Sequence, residues 1–316
     1  MTIYVYSNCF FIIIFLVFPK KEETSFNKET TSALKAILPV LIIIHHAFIS
    51  IPAVGEIGAI VVATFFFVSG YGLEYKRIHH QNVMGVGRFR KLIVPIIYPA
   101  VLYLLCRFAF EGDVYGAIID SLGKYQIIVP YSWFIITLIQ LYFLYYLASY
   151  FHSTNIPFVM CFFITAYVVV LYALHVSSTY YCSVYGFFVG IIYNYIQPYI
   201  TKSYKAVLCI ASLMFVLSII ISILHLPFQR VFVTTLFSIG IILLTSSVSL
   251  KGKFVNFFSN ISYELYLCQG IGFLVAKHLS GNNLIIFVIT LLFTIIVSVL
   301  CNYLTKLTFN RFQTAT

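Results

Sequence analysis

The chain has 316 residues, of which 61% are hydrophobic and 9% are charged, and its mean hydropathy is +1.00. Soluble domains carry about 25% charged residues, so this composition excludes a soluble globular protein and indicates an all-α polytopic membrane protein. The net charge of +10 requires no nucleic-acid partner, because it follows from where the basic residues fall relative to the predicted spans.

Eleven apolar runs are long enough to cross a hydrocarbon core of about 30 Å. In chain order they cover about 3–19, 33–52, 54–74, 91–110, 131–151, 156–176, 180–196, 204–226, 230–248, 257–279 and 283–307. The first run lacks a basic n-region and a small-residue cleavage site before Lys20, so we predict a helix rather than a signal peptide. The predicted organisation is an N-terminal helix and cytoplasmic linker over 1–32, a ten-helix domain over 33–310 and a cytoplasmic tail over 311–316.

Basic residues predict the orientation of these spans. With the 20–35 segment in the cytoplasm, 15 of the 19 lysines and arginines fall inside, as the positive-inside rule requires. The four that fall outside are Arg107, Lys124, Arg230 and Lys277. We therefore predict a multi-pass protein of the plasma membrane with its N-terminus outside and its C-terminus in the cytoplasm. A basic cytoplasmic face suits an anionic soluble substrate.

Two adjacent histidines, His45 and His46, lie deep in the apolar 33–52 run. Ionisable groups inside a bilayer are costly and usually mark function. Lys35 precedes His46 by eleven residues, or about 1100° of helix, so the two share one face about 16 Å apart, while His45 points about 80° away. Such histidines favour a proton relay, a metal site or catalytic base work. No cluster at ligand spacing supports a metal, and a histidine that only bonds a neighbouring helix remains open.

Polar residues after the third predicted span suggest a binding site for phosphate. Arg88 and Lys91 are three residues apart and would share a helix face. Together with Lys35 they would form a cationic cluster at the cytoplasmic mouth, suited to phosphate groups. The alternative is ordinary positive-inside charge without a ligand. Ser69 lies beside Gly70 on the preceding helix and is expected to support close helix packing.

Three further residues each have two interpretations. Glu56 in the outer hairpin is the carboxylate nearest in sequence that would orient His46, or it is a plain surface charge. Glu264, within a predicted helix, either lines a cavity or bonds neighbouring helices. Trp133, the single tryptophan, either anchors the membrane interface or stacks on a substrate.

Five short motifs, in this order, resemble the acyltransferase-3 family of integral-membrane acyltransferases, many of which O-acetylate bacterial surface polysaccharides. The matching residues are Lys35 with His46, the run Phe66-Phe67-Val68-Ser69-Gly70-Tyr71, Arg88-Phe89-Arg90-Lys91, Trp133-Phe134, and Ile261-Ser262-Tyr263-Glu264-Leu265-Tyr266-Leu267. Lys35 and Lys91 stand where the family usually has arginine, which keeps the charge but loses bidentate geometry. Many members have a histidine where this chain has Cys268-Gln269, so no catalytic role is assigned there.

The resemblance implies an acyl-CoA donor on the cytoplasmic side, most simply acetyl-CoA, and a glycan or lipid-linked saccharide as acceptor, with no bound cofactor. His46 would act as a general base on a sugar hydroxyl or as a nucleophile that forms an acyl-imidazole. Lys35, Arg88 and Lys91 would hold the phosphates of the donor. Glu56 and Glu264 are the carboxylates assigned to the catalytic set, and the supporting residues are His45, Ser69, Tyr71, Trp133 and Tyr266.

Two other classes of protein have a similar composition. A polysaccharide polymerase or lipid-linked-sugar flippase also has many spans and a basic cytoplasmic face. Such a protein is expected to have a larger external loop with several arginines. In this chain the longest predicted external segment, 111–130, has Lys124 as its single base. A proton-coupled transporter would use His46 and Glu264 as a relay, but the sequence shows no two-fold internal repeat.

Overall fold

The computed structural model describes residues 25–80, 86–151, 155–224 and 226–314. Within these residues the regular structure is helical and contains no strand, which confirms the predicted all-α membrane class. The predicted span 3–19 and most of the predicted 1–32 segment lie outside the described residues.

Thirteen helices follow one another in chain order within the described residues. They are α1 (Lys28–Ala47), α2 (Pro52–Gly55), α3 (Ile57–Ile78), α4 (Val86–Glu111), α5 (Val114–Gly123), α6 (Trp133–Phe151), α7 (Ile156–Ala173), α8 (Tyr185–Ile200), α9 (Tyr204–Ile223), α10 (Gln229–Ser247), α11 (Lys253–Asn260), α12 (Ser262–Leu279) and α13 (Asn283–Thr314). A 3-10 turn covers Ser178–Tyr180.

Eight of the described helices are long and apolar enough to cross a membrane, namely α1, α3, α4, α6, α7, α9, α10 and α13. Two further helices, α8 and α12, coincide with predicted spans but do not reach that limit, since α8 has 16 residues and α12 carries polar side chains in its interior. Both pack against protein on several sides. Glu264 and Gln269 of α12 are buried, which explains why a helix in the middle of the bundle is the less apolar one.

The first described helix, α1, begins earlier than the apolar run that predicted it. Asn27 caps α1, because its side-chain oxygen accepts a hydrogen bond from the backbone N–H of Thr30 at 3.1 Å. The helix therefore begins at Lys28, five residues before the predicted apolar run. Pro39 lies inside α1, where it removes one backbone hydrogen bond and weakens the helix between Lys35 and His46.

Glycines bring α3 and α8 into close contact. A Cβ atom at Gly70 would overlap the carbonyl oxygen of Phe187, and Cβ atoms at Gly186 and Gly190 would overlap backbone oxygens of α3. Membrane helices associate closely where small residues let their backbones approach. The packing expected around Ser69 and Gly70 is thus present at Gly70, and it fixes α3 against α8.

Contacts between connections define two ends of the bundle. At the end that carries His46, Arg230 at the start of α10 forms an ion pair with Glu56 at 3.0 Å. At the end that carries Lys35, Lys251 pairs with Glu29 at 3.2 Å. We call these the His46 end and the Lys35 end. The two residues that name them lie about 16 Å apart along α1.

Candidate active site

His46 lies in the last turn of α1 and is half-buried. Its imidazole stacks on the ring of Tyr131, with centroids 3.9 Å apart and an interplanar angle of 22°. Phe273 of α12 approaches edge-on at 6.1 Å. Among the described residues no hydrogen bond reaches either ring nitrogen of His46. Two aromatic rings therefore hold the imidazole, while both of its nitrogens stay available to a substrate.

Tyr131, the ring that stacks on His46, lies in the loop between α5 and α6 and is held from several directions. Its carbonyl oxygen accepts a hydrogen bond from the Tyr266 hydroxyl at 2.6 Å, and its N–H donates to the Gln126 side chain at 3.2 Å. The preceding Pro130 packs against Gly270 of α12, where a Cβ would lie 2.8 Å from the proline ring. Tyr131 has a positive φ of 66°, which is uncommon outside glycine and clusters at functional sites. Burial raises the pKa of its phenol, so the ring stays neutral near neutral pH.

His45 points away from Tyr131 and has a different environment. Its Nδ1 donates to the backbone carbonyl of Val54 at 3.0 Å, which ties α1 to the α2 hairpin. Gly58 of α3 leaves room for this ring, since a Cβ there would lie 2.6 Å from the imidazole. Both histidines line the cavity described next, but among the described residues only His45 is tied to the fold by a side-chain hydrogen bond.

A cavity of about 420 Å³ opens at the His46 end of the bundle. Its walls combine aromatic rings with hydrogen-bonding and charged groups. Besides the two histidines, it is lined by Gln126, Tyr131, Trp133, Tyr180, Arg230 and Tyr266. Trp133 and Tyr180 meet edge to face at 5.6 Å, so these two rings form one corner of the cavity. Such a lining suits a polar ligand with both hydroxyl groups and apolar faces.

Glu56 borders this cavity through its partner Arg230. The Arg230 Nε donates to the Glu56 carboxylate at 3.0 Å, and its Nη1 donates to the Ser178 hydroxyl at 2.9 Å. The predicted role of Glu56 was to orient His46, but the described residues contain no hydrogen bond between the two. Glu56 is not among the residues that line the cavity, and it is neutralised by Arg230, which is.

The predicted cations lie at the Lys35 end, apart from the cavity. Lys35 is exposed and forms no ion pair with the described residues, and Lys91 is also exposed. Arg88 lies 5.7 Å from the centre of the Tyr142 ring, and the Tyr142 hydroxyl also faces Ser69. No described contact joins Lys35 to Arg88 or Lys91. The three cations share one end of the bundle without forming a single contact cluster.

Glu264 and Tyr71 take part in contacts between helices. The Glu264 carboxylate is buried and accepts a hydrogen bond from the Asn302 side chain of α13 at 3.0 Å. The Tyr71 hydroxyl lies 3.1 Å from both the Phe26 carbonyl and the Gln197 side chain. Neither Glu264 nor Tyr71 lines the cavity. Of the predicted residues, the cavity brings together His45, His46, Trp133 and Tyr266.

A family model described as an acyltransferase domain, of the acyltransferase-3 type, matches residues 32–303. The chain belongs to the acyltransferase-3 family. Comparisons with curated proteins and with solved structures found no match. The chain is therefore a multi-pass membrane acyltransferase, as the sequence motifs predicted.

Sequence reasoning missed several residues that line the cavity of this acyltransferase. Tyr131 and Gln126 come from the long connection before α6, and Tyr180 comes from the 3-10 turn before α8. For Arg230 a signal was present, since it is one of four basic residues on the predicted outer side, against the charge rule. For Tyr131 the sequence signal was its position, two residues before Trp133, which was itself a predicted site residue.

Proposed function

We propose that this acyltransferase moves an acyl group, most simply acetyl, from acyl-CoA bound at the Lys35 end to a hydroxyl of a cell-surface or lipid-linked glycan bound at the His46 end. The observation that carries the proposal is the placement of His46. Its imidazole borders a polar and aromatic cavity and has no hydrogen-bond partner among the described residues. By the geometry of an α-helix it also shares one face of α1 with Lys35.

His46 serves the reaction as a general base. The imidazole removes the proton from the acceptor hydroxyl as its oxygen attacks the thioester carbonyl carbon. The carbon–sulfur bond then breaks, and the proton held on the imidazole passes to the leaving thiolate. If instead His46 is acylated first, the acyl-imidazole is attacked by the hydroxyl in a second step. The stacked Tyr131 ring and the edge-on Phe273 ring fix the plane of the imidazole in either route.

The chemistry of the cavity supports a sugar acceptor. Trp133 and Tyr180 offer ring faces to the apolar face of a sugar, while Gln126 and Arg230 offer donors to its hydroxyl oxygens. Lys35, Arg88 and Lys91 supply positive charge for the phosphates of CoA at the opposite end. The donor arm would then span the roughly 16 Å between Lys35 and His46.

Orientation follows from the same assignment. The positive-inside asymmetry of the sequence supports a Lys35 end in the cytoplasm of a plasma-membrane protein, with the acyl-CoA pool on that side. In a cysteine-free background, single cysteines at 281 and 282 should react with an impermeant reagent from outside, and single cysteines at 251 and 252 should not. External labelling at 251 would remove the reason for placing the donor at the Lys35 end.

The decisive assay is thiol release from acetyl-CoA by the purified protein in lipid nanodiscs, with and without a panel of methyl glycosides. Release that depends on a glycoside, with an acetyl ester recovered on that sugar, is the expected result. An acid quench without acceptor, followed by peptide mass spectrometry, separates the two routes, because only the acyl-imidazole route leaves acetyl on the peptide of His46. A protein that neither cleaves acetyl-CoA nor acetylates any glycan would contradict the proposal.

A further inference from the structure

Gln269 of α12 is buried in a way that the proposed acyl transfer does not yet explain. Its side chain is fully buried, and neither its amide oxygen nor its amide nitrogen has a hydrogen-bond partner among the described residues. An amide taken out of water without partners is costly, and such groups in a native structure call for an explanation. A group that binds a ligand is one explanation, because the ligand supplies the missing partners.

The neighbours of Gln269 show which way it faces. Residues four apart share a face of a helix, so Gln269 shares its face with Leu265 and Phe273. Leu265 belongs to an apolar cluster that includes Ala36 of α1, and Phe273 belongs to one that includes Ile43 of α1. Phe273 also lies 6.1 Å from the His46 ring. Gln269 therefore lies on the α1-facing side of α12, one helical turn from the level of His46 in the direction of the Lys35 end.

This seam between α1 and α12 joins the two ends that the proposed reaction must connect. A pantetheine arm that runs from Lys35 to His46 would bring its thioester to the imidazole. An ethylene linker separates the thioester sulfur from the nearest amide of the arm. That amide would thus lie about one helical turn below His46, at the level of Gln269.

The chemistry of the two groups is complementary. A glutamine side chain has one acceptor oxygen and an NH₂ donor, and a secondary amide has one N–H and one carbonyl oxygen. One glutamine can therefore satisfy a pantetheine amide and be satisfied by it. Entry of the arm requires α1 and α12 to separate, and Pro39 weakens α1 at this level by removing the backbone hydrogen bond to the Lys35 carbonyl.

We infer that Gln269 binds the cysteamine amide of the acyl donor and thereby positions its thioester at His46. The inference rests on the proposed function, since it requires a pantetheine thioester as donor. Gln269 acts through the donor and does not touch the acceptor. Gln269 therefore determines donor specificity, because it favours a thioester that carries an amide over a plain alkyl thioester.

The test compares two short donors in nanodiscs. S-acetyl-N-acetylcysteamine carries this one amide, and S-pentyl thioacetate has the same chain length without it. Neither donor has a nucleotide, so the cations at the Lys35 end do not contribute. The wild type should prefer the amide-bearing donor in kcat/KM by about tenfold, the scale expected for a buried amide hydrogen-bonded on both sides. In Gln269→Leu this preference should fall towards one, and the KM for acetyl-CoA should rise while kcat changes little.

Thr294→Val is the matched control. Thr294 is also buried without a partner among the described residues, but it lies on α13 against Gly272, so the substitution should keep the donor preference. The thermal stability of Gln269→Leu without donor should equal or exceed that of the wild type, because an unpartnered amide is replaced by an apolar group.

Three outcomes would overturn the inference. A donor preference that is unchanged in a folded Gln269→Leu protein shows that another residue binds the cysteamine amide. A Gln269→Leu protein that is less stable without donor shows that the glutamine has partners in the resting fold. If the wild-type protein transfers acetyl from none of the three donors, that is, from the two short thioesters or from acetyl-CoA, the proposed function is rejected and this inference with it.

Discussion

At the Lys35 end of the bundle, the buried carboxylate of Glu74 accepts several hydrogen bonds, whereas at the His46 end the imidazole of His46 makes only ring contacts with the residues that the structure describes. Glu74 accepts hydrogen bonds from Arg77 at 2.7 and 3.0 Å, from Tyr145 at 2.5 Å and from Tyr195. These partners join α3, α6 and α8. Glu74, whose carboxylate is fully hydrogen-bonded, holds helices together. We propose that the nitrogens of His46, which have no such partner among the described residues, meet a substrate. Missing partners among the described residues, rather than burial alone, are therefore the ground on which we propose a functional role for His46.

The largest effect is expected for His46→Ala. Loss of a general base costs about 10²- to 10⁴-fold in rate, so acetylation should fall by that factor while the amount of protein in the membrane stays normal. His45→Ala is the matched control, and it should lower thermal stability more than activity because His45 bonds Val54. Kinetics and melting curves of both variants check this. If His45→Ala abolishes turnover and His46→Ala does not, the assignment of the two histidines is reversed.

The hydrogen-bonded carboxylate of Glu74 is tested next. Glu74→Ala leaves Tyr145 and Tyr195 without their acceptor and Arg77 without its ion-pair partner, so we expect a loss of roughly 3–5 kcal/mol in folding stability. The loss should appear as a lower melting temperature in detergent. Glu56→Ala removes a carboxylate of an ion pair that is partly exposed and should cost less stability. Equal melting temperatures for both variants would show that the cluster around Glu74 does not hold the bundle.

A smaller effect is expected at the ring that stacks on His46. Tyr266→Phe removes the hydrogen bond to the Tyr131 carbonyl, which is worth about 1 kcal/mol, and kcat should fall severalfold because the Tyr131 ring is held less firmly. Tyr263→Phe removes a similar bond, from Tyr263 to the Leu92 carbonyl at 2.7 Å, away from the cavity. That control should keep its kcat. A kcat that is insensitive to Tyr266→Phe would show that Tyr131 is positioned by its other contacts.

The smallest effect is expected at the exposed cations. Lys35→Ala should raise the KM for acetyl-CoA by roughly two- to fivefold, since an exposed charge contributes less than about 1 kcal/mol, and added salt should weaken binding in the wild type. Lys35→Arg keeps the charge and should bind the donor normally. Donor affinity that is independent of both Lys35 and salt would confine this cation to membrane orientation.

Much of the fold was predictable because hydrophobic length is a local property of the sequence. Ten predicted spans correspond to described helices, and the remaining one, 3–19, lies outside the described residues. Two differences remain, and the first has a clear cause. Asn27 caps α1, so its first turns contain polar residues that an apolar run does not include. The predicted span 257–279 is divided into α11 and α12 at Ile261.

The candidate site was predictable only in part, because its residues come from separate regions of the chain. The spacing of Lys35 and His46 is a property of one helix and could be read directly. The stacking of Tyr131 on His46 depends on a loop 85 residues away, and the pairing of Glu56 with Arg230 joins residues 174 apart. Charge counting marked Arg230 as exceptional without indicating its partner.

The glycine contacts between α3 and α8 bear on which parts of the protein move during a reaction cycle. Gly70, Gly186 and Gly190 hold two backbones so close that sliding one past the other would force atoms to overlap. The helices α3 and α8 therefore form a rigid pair within the bundle. The opposite side of the His46 cavity, where α12 meets the proline-interrupted α1, has no such glycine contact between those two helices among the described residues. Entry of the proposed substrate arm is then expected to separate α1 from α12 rather than α3 from α8.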